Sequence, residues 1–286
     1  VTDPLAIAFP GQGGDWRAVV ATLHEHAAHP LAIALAEALG TDRWEDLDGL
    51  DTRVAQPAVY VAGLVAAPAA GPGGEAITVA LGHSLGEITA AAWAGAIDPM
   101  AGLALTVERG RLGDATQRRR PGAMAAINRW SEAQVDELRR ELLERDEGEL
   151  VVGVINSPTQ LVLSGDLALI ERAAAEANAR GAVARRLPIS GAYHSPLMAE
   201  LLAGFRTEVE RAVTAAPSVP VLSSTLQQAM TTPDALIDGL SRALVLPVDW
   251  PRTVAAAGVA RAIDAGPGDT LTRLARFVPG LQMVQP

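Results

Sequence analysis

The sequence predicts an α/β fold with a largely parallel sheet and a small ferredoxin-like subdomain inserted into it. Three observations carry that expectation. Short apolar runs alternate with amphipathic helical stretches from Leu5 onward, the middle of the chain reads strand, helix, strand, strand, helix, strand, and cap and turn residues stand at the joints. With 286 residues, of which 49% are hydrophobic and 20% charged, the chain can bury a sizeable core.

The clearest strands of the larger sheet are Leu5–Phe9, Ala76–Leu81, Val219–Leu222 and Ala260–Asp264, each short and apolar. Asp98 before Pro99 and Ser195 before Pro196 mark helix starts, because a first helical turn leaves unbonded the N–H that proline lacks. The first of these helices is expected over Asp98–Leu112. Within the insertion, Gly122–Ile127 reads as a strand, and the capping box Ser131-Glu132-Ala133-Gln134 opens a helix to about Arg145. Glu149–Ile155 is the next strand, and Asn156-Ser157-Pro158 turns into a third at Gln160–Ser164. A helix over Asp166–Arg180, stopped by Gly181, leads to a fourth strand at Ala182–Leu187. The chain thus divides into a small subdomain at 122–187 and a large one made of 1–121 and 188–286. Pro68–Gly74 reads as a surface loop.

Composition removes several classes. The net charge of −10, the 3% aromatic content and the lack of a basic stripe speak against a nucleic-acid surface, which needs clustered cations. No cysteine is present, so disulfides, thiolate metal sites and a cysteine nucleophile are excluded; a reducing cytoplasm is compatible. The most apolar stretch, Val54 to Ala70, is broken by Pro57 and Pro68 and predicts no membrane span. The chain opens at Val1 without methionine or a signal pattern, which reads as a domain of something longer.

Chemistry enters at Gly82-His83-Ser84-Leu85-Gly86. This GxSxG follows a strand and precedes a helix at Glu87 to Ala94, the context in which a hydrolase-like core lifts a serine onto a sharp turn. The helix start also points backbone N–H groups, Leu85 among them, toward a developing oxyanion. The plainer reading is a tight turn with a capping serine. A serine nucleophile needs a base, and five histidines are present. His24, His26 and His29 have no i, i+4 pair and no cysteine beside them, so they read as a solvated helix face. His83 adjoins the serine and reads as turn packing or site lining. His194, where the chain returns from the insertion, is the base by elimination. Arg109 by itself reads as an ordinary exposed helix arginine.

Taken together, these residues resemble the malonyl-CoA:acyl-carrier-protein transacylases and the acyltransferase domains of polyketide synthases. Phe9-Pro10-Gly11-Gln12-Gly13, Gln56-Pro57-Ala58, Gly82-His83-Ser84-Leu85-Gly86-Glu87, Arg109-Gly110, Gly122-Ala123-Met124, Asn156-Ser157-Pro158, His194-Ser195-Pro196, Pro247-Val248-Asp249-Trp250 and Gly266-Pro267-Gly268 match in order along the chain. The resemblance implies Ser84 as nucleophile, His194 as base and Arg109 as a clamp on the free carboxylate of a malonyl group. The backbone N–H groups of Gln12 and Leu85 would form the oxyanion hole, with Tyr193, His83 and Asn156 lining the substrate site. It further implies no metal or redox cofactor, malonyl-CoA and an acyl carrier protein as partners, and neighbouring domains of a multidomain synthase.

Two departures stand out. A Gln or Asn that helps orient the histidine in the family is replaced here by Ala243. The tetrapeptide ending at the base is Gly191-Ala192-Tyr193-His194, whose aromatic ring resembles the malonyl type and crowds an α-methyl branch, a methylene-scale discrimination of about 1–3 kcal/mol. A methylmalonyl or other extender unit is the alternative. A serine thioesterase or hydrolase is the alternative of a different class; it expects its histidine late in the chain, and none follows His194. A non-catalytic docking domain is the second rival. Arg118-Arg119-Arg120 reads as a solvated loop, with docking to an acidic carrier protein as its other reading.

Overall fold

In the computed structural model, which describes residues 4–41 and 43–284, Leu5–Phe9 forms a strand (β1) buried at every position. That is the pattern of a central parallel strand covered on both faces. The chain continues through α1 (Trp16–Glu25), α2 (Pro30–Leu39) and α3 (Thr52–Ala66) to β2 (Ile77–Gly82), α4 (Gly86–Trp93) and α5 (Pro99–Gln117). Then come β3 (Gly122–Asn128), α6 (Glu132–Arg145), β4 (Leu150–Ser157), β5 (Gln160–Asp166), α7 (Leu167–Ala179) and β6 (Val183–Arg186). The return comprises α8 (Leu202–Ala212), β7 (Val221–Leu222), β8 (Ala229–Met230), α9 (Pro233–Arg242), β9 (Val248–Asp249), α10 (Trp250–Ala257), β10 (Arg261–Asp264), α11 (Thr270–Ala275) and β11 (Gln282–Val284).

Six strands form the larger sheet in the order β11-β10-β1-β2-β7-β8, parallel except for β8. The register sets Phe9 beside Gly82, so the loops leaving β1 and β2 lie side by side at the carboxyl ends of the strands. This is where open parallel sheets bind ligands. The second sheet runs β6-β3-β5-β4-β9, and its first four strands are antiparallel neighbours in the ferredoxin-like order.

Alternation along the small sheet explains how it does two jobs. Ala123, Ala125, Ile127, Leu161 and Leu163 pack with Leu138 and Ile170 of α6 and α7 in a separate core. Their neighbours Met124, Val154 and Val162 belong instead to the large core, because successive strand residues face opposite sides. One face closes the subdomain and the other closes the cleft. Among the described residues, no helix is long and apolar enough to cross a membrane. The apolar stretch with Pro57 folds as α3, buried from Ala55 to Gly63.

Several expectations shift. The strand expected at Val219–Leu222 is only Val221–Leu222: Pro220 has no N–H to donate and contributes just its carbonyl, to Ala80 N at 2.9 Å. The fifth strand of the small sheet, β9, comes from outside 122–187 and pairs parallel with β4. α5 runs past Leu112 to Gln117, with Gly113 inside it. Asp98 caps α5 through Met100 N and Ala101 N, at 2.9 and 3.1 Å. Ser195 does not cap; its hydroxyl donates to Ala192 O at 2.6 Å, and Pro196–Leu201 winds as a 3-10 turn before α8. Of the clustered histidines, His29 accepts from Leu31 N to cap α2, and His24 sits 3.3 Å from the Glu45 carboxylate. The three consecutive arginines meet acids of their own chain: Arg118 with Asp114, Arg119 with Glu200, and Arg120 with Asp166 at 2.7 Å.

Candidate active site

The turn between β2 and α4 is built by what it lacks. A Cβ on Gly82 would lie 2.2 Å from Glu87 N, and one on Gly86 would lie 2.1 Å from Phe9 O, so only glycine lets strand, turn and helix close this tightly. Between them Ser84 takes φ 54°, a left-handed conformation that side-chain-bearing residues adopt at a cost. The consequence is a hydroxyl raised over the strand end.

His194 comes from the return segment, and its φ of 62° marks a second strained turn. Its Nε2 lies 2.7 Å from Ser84 Oγ, and its Nδ1 lies 3.0 Å from the carbonyl of Leu246. A carbonyl can only accept, so Nδ1 carries the proton and Nε2 presents its lone pair to the serine. Orientation comes from the main chain, as His194 N also donates to Leu244 O at 2.7 Å. This explains how Ala243, buried at the end of α9, can stand where a Gln or Asn was expected.

Arg109 is not an exposed helix residue. Only 5% of it is accessible, and its guanidinium donates to Gln56 Oε1 at 2.8 Å and to Ser84 Oγ at 3.3 Å while lying 4.5 Å from the centre of the Tyr193 ring. Neutral acceptors meet a buried cation. Tyr193, itself buried, donates its hydroxyl to Arg109 O at 2.9 Å. His83 Nε2 lies 2.8 Å from Asn156 Oδ1, joining the turn to β4, and its ring packs against Trp250. Gln12 and Leu85 line the same cavity, and among the described residues neither backbone N–H is used in a hydrogen bond. The cavity, about 100 Å³, is walled by Met124, Val154 and Val162 of the small sheet opposite Ser84, Arg109 and His194. All eight residues named from the sequence border it.

Three contributors were not singled out from sequence. Gln56 was noted only within a matching tripeptide, and Leu246 acts through a carbonyl that any residue would supply. Glu87, fully buried, accepts from both the backbone N–H and the hydroxyl of Ser224, whose oxygen in turn accepts from Ser84 N at 3.4 Å. Its signal was a charged residue in an otherwise apolar helical turn.

Burial, seconded by the Arg109 cation, lowers the His194 pKa to about 3, so the imidazole is neutral, the form that accepts a proton. Burial raises Glu87 to about 7 from 4.5, against its hydrogen bonds from Ser224 and the Arg109 charge. Between those values the folded chain holds the Glu87 proton more tightly than the unfolded chain, so the stability this proton confers is full below 4.5 and is lost as pH rises through 7. Glu87→Gln removes that dependence and leaves His194 unchanged. The unfolding free energy of the variant relative to wild type, from denaturant titrations, should therefore rise between pH 5 and pH 8; a constant difference would contradict the assignment.

The chain matches the acyl transferase domain family over residues 8–268. It is 34% identical to the malonyl CoA-acyl carrier protein transacylase of Escherichia coli strain K12, over 96% of this chain and 92% of that protein. The polyketide biosynthesis protein ThaF of Burkholderia thailandensis is also 34% identical over 96% of this chain, which spans 24% of ThaF. Among solved structures, the malonyl-CoA:acyl carrier protein transacylase of Xanthomonas oryzae superposes with a TM-score of 0.83 at 29% identity, covering 100% of this chain and 95% of that one. A malonyl-transacylase in complex with a type II polyketide synthase acyl carrier protein gives 0.83 at 28% identity, covering 99% and 96%.

Proposed function

The chain belongs to the acyl transferase domain family, and from that membership and the Ser84 cavity we propose that it carries malonyl units from malonyl-CoA to the phosphopantetheine thiol of an acyl carrier protein. The observation that carries the reading is one hydroxyl, Ser84 Oγ, held within 3.3 Å of both an imidazole acceptor and a buried guanidinium. A base alone would suit any acyl transfer. A buried cation beside that hydroxyl, in a cavity of about 100 Å³, suits a short acyl group with an anionic end.

Ser84 Oγ attacks the thioester carbon as its proton passes to His194 Nε2. The oxyanion is received by the N–H groups of Gln12 and Leu85. Collapse breaks the carbon–sulfur bond, and the coenzyme A thiolate takes the proton back from His194, leaving a malonyl ester on Ser84. The carrier thiol then gives its proton to His194 and attacks the ester, and Ser84 regains a proton as it leaves. Both half-reactions balance without a metal or redox cofactor. Arg109 holds the distal carboxylate, with Gln56 fixing one side of its fork.

The wider cleft outside the cavity is rimmed by Arg185 and Arg186 of β6 and by Arg273 and Arg276 at α11, a cationic mouth suited to a phosphate-bearing arm and an acidic carrier. Carrier thiols stay free in a reducing compartment, which supports a cytoplasmic location, alone or beside the other domains of a synthase.

Intact-mass measurement tests the reading. Protein mixed with malonyl-CoA should gain one malonyl group on Ser84, and added holo carrier protein should remove it while gaining the same mass. Free malonate released at equal rates with and without carrier would instead make the protein a hydrolase.

A further inference from the structure

A line of side-chain hydrogen bonds runs from the Arg109 clamp to the start of the return segment. Arg109 Nη1 donates to Gln56 Oε1 at 2.8 Å, Gln56 Nε2 donates to Gln12 Oε1 at 3.5 Å, and Gln12 Nε2 donates to Thr52 Oγ1 at 3.3 Å. The same Thr52 oxygen accepts from Ser190 N at 2.8 Å. Four segments far apart in sequence, the loop after β1, α3, α5 and the return segment, thus meet along one file of polar atoms.

Its direction is set at the two ends. A guanidinium can only donate, so Gln56 shows Arg109 its oxygen and turns its NH2 toward Gln12. At the other end a backbone N–H occupies one lone pair of the Thr52 hydroxyl and the second receives the Gln12 NH2, which leaves the Gln12 oxygen facing Gln56. The two inner links are long, so they transmit orientation more than strength. A flip of Gln56 would set an NH2 against a buried cation.

Thr52 is fully buried, yet α3 does not need its hydroxyl. Asp51 caps that helix, accepting from Arg53 N at 2.9 Å. The surroundings of Thr52 are the scaffold of the site itself: a Cβ on Gly110, next to Arg109, would stand 2.8 Å from Thr52 O.

We propose that the Thr52 hydroxyl is the anchor that fixes the polarity of both amides and so keeps an acceptor turned to Arg109, making Thr52 a positioning residue for the carboxylate clamp. The inference rests on the malonyl reading. Valine in its place keeps the branched shape and offers the Gln12 NH2 and the Ser190 N–H no acceptor. Gln12 then swings free, Gln56 loses the neighbour that holds its oxygen on the arginine, and the guanidinium is no longer aimed at the acyl tail.

Steady-state loading from malonyl-CoA and from acetyl-CoA tests this in wild type, Thr52→Val and Thr52→Ser. Thr52→Val should lower malonyl kcat/KM ~10- to 30-fold, the loss expected when buried donors are left without an acceptor, with KM carrying most of it. Acetyl makes no use of the clamp and should fall no more than ~3-fold, through slack in the Gln12 loop. Thr52→Ser loses a buried methyl and should melt at a lower temperature, yet it keeps the hydroxyl and should load malonyl within ~2-fold of wild type. In a Gln56→Ala background the line is already cut, and Thr52→Val should add less than ~3-fold. Equal losses of malonyl and acetyl, a serine variant as impaired as the valine one, or an undiminished effect in the Gln56→Ala background each overturn the proposal, since support of the fold alone would give those results. A wild-type chain that does not load malonyl removes the malonyl reading and the anchor with it, whereas one that loads malonyl, paired with an unimpaired Thr52→Val, removes the anchor alone.

Discussion

Ser84→Ala should lose malonyl transfer by at least ~10⁴-fold and should gain no mass from malonyl-CoA, the size of loss seen when a nucleophile that works as a unit with its base is deleted. The cavity holds no second candidate. Its other polar groups are amides, two imidazoles, a guanidinium and the Tyr193 hydroxyl, which is bonded to Arg109 O and buried away from the acyl position. The substitution should be mild for the fold, because alanine keeps the backbone of the turn and removes only the Oγ contacts to His194 and Arg109. Thermal melting close to wild type, together with no adduct and no transfer to holo carrier protein, is the expected set of results. Transfer within tenfold of wild type would assign the chemistry to another group.

That prediction rests on a part of the molecule that is largely legible in the sequence. A strand, two glycines around Gly82–Gly86 and a following helix specify the turn locally, so the spacing alone places Ser84 at the strand end. The insertion is legible for a similar reason, since its capping box and its Asn156-Ser157-Pro158 turn are local signals, and the capping box forms as read. What fails is decided by distant partners. β8, β9 and β11 are two or three residues long and exist because a neighbouring strand offers free N–H and C=O groups. No periodicity can announce them. Ser195 reads as a cap from its proline, yet its hydroxyl finds the carbonyl of Ala192 instead.

The site divides in the same way. The bond between Ser84 and His194 spans 110 residues, and spacing says nothing about it. Elimination among five histidines points to His194, which the structure sets 2.7 Å from Ser84 Oγ, but the group that orients its ring, the carbonyl of Leu246, leaves no mark on the sequence because every residue has one. Arg109 illustrates the limit more sharply. Helical spacing made it an exposed residue, while the structure buries it under Tyr193 and beside Gln56, and only the resemblance pointed there.

Arg109→Ala should lower kcat/KM for malonyl loading by about 10²- to 10³-fold, the usual loss when one partner of a buried, hydrogen-bonded charge pair is truncated. Acetyl loading, which offers no carboxylate, should change far less, so the ratio of the two rates is the diagnostic. The same cation also bears on the base. It is the second contributor, after burial, to the low proton affinity of His194, and a malonyl carboxylate on Arg109 offsets that charge. Malonyl thus raises the basicity of His194 at the moment Ser84 must lose its proton; acetyl does not. In Arg109→Ala the cation is gone for both substrates, so His194 becomes easier to protonate and the acid limb of the acetyl pH–rate profile should move to higher pH. Equal losses of malonyl and acetyl loading, with that limb unmoved, would reduce Arg109 to a structural cation and take from the cavity its reason to choose an anionic acyl group.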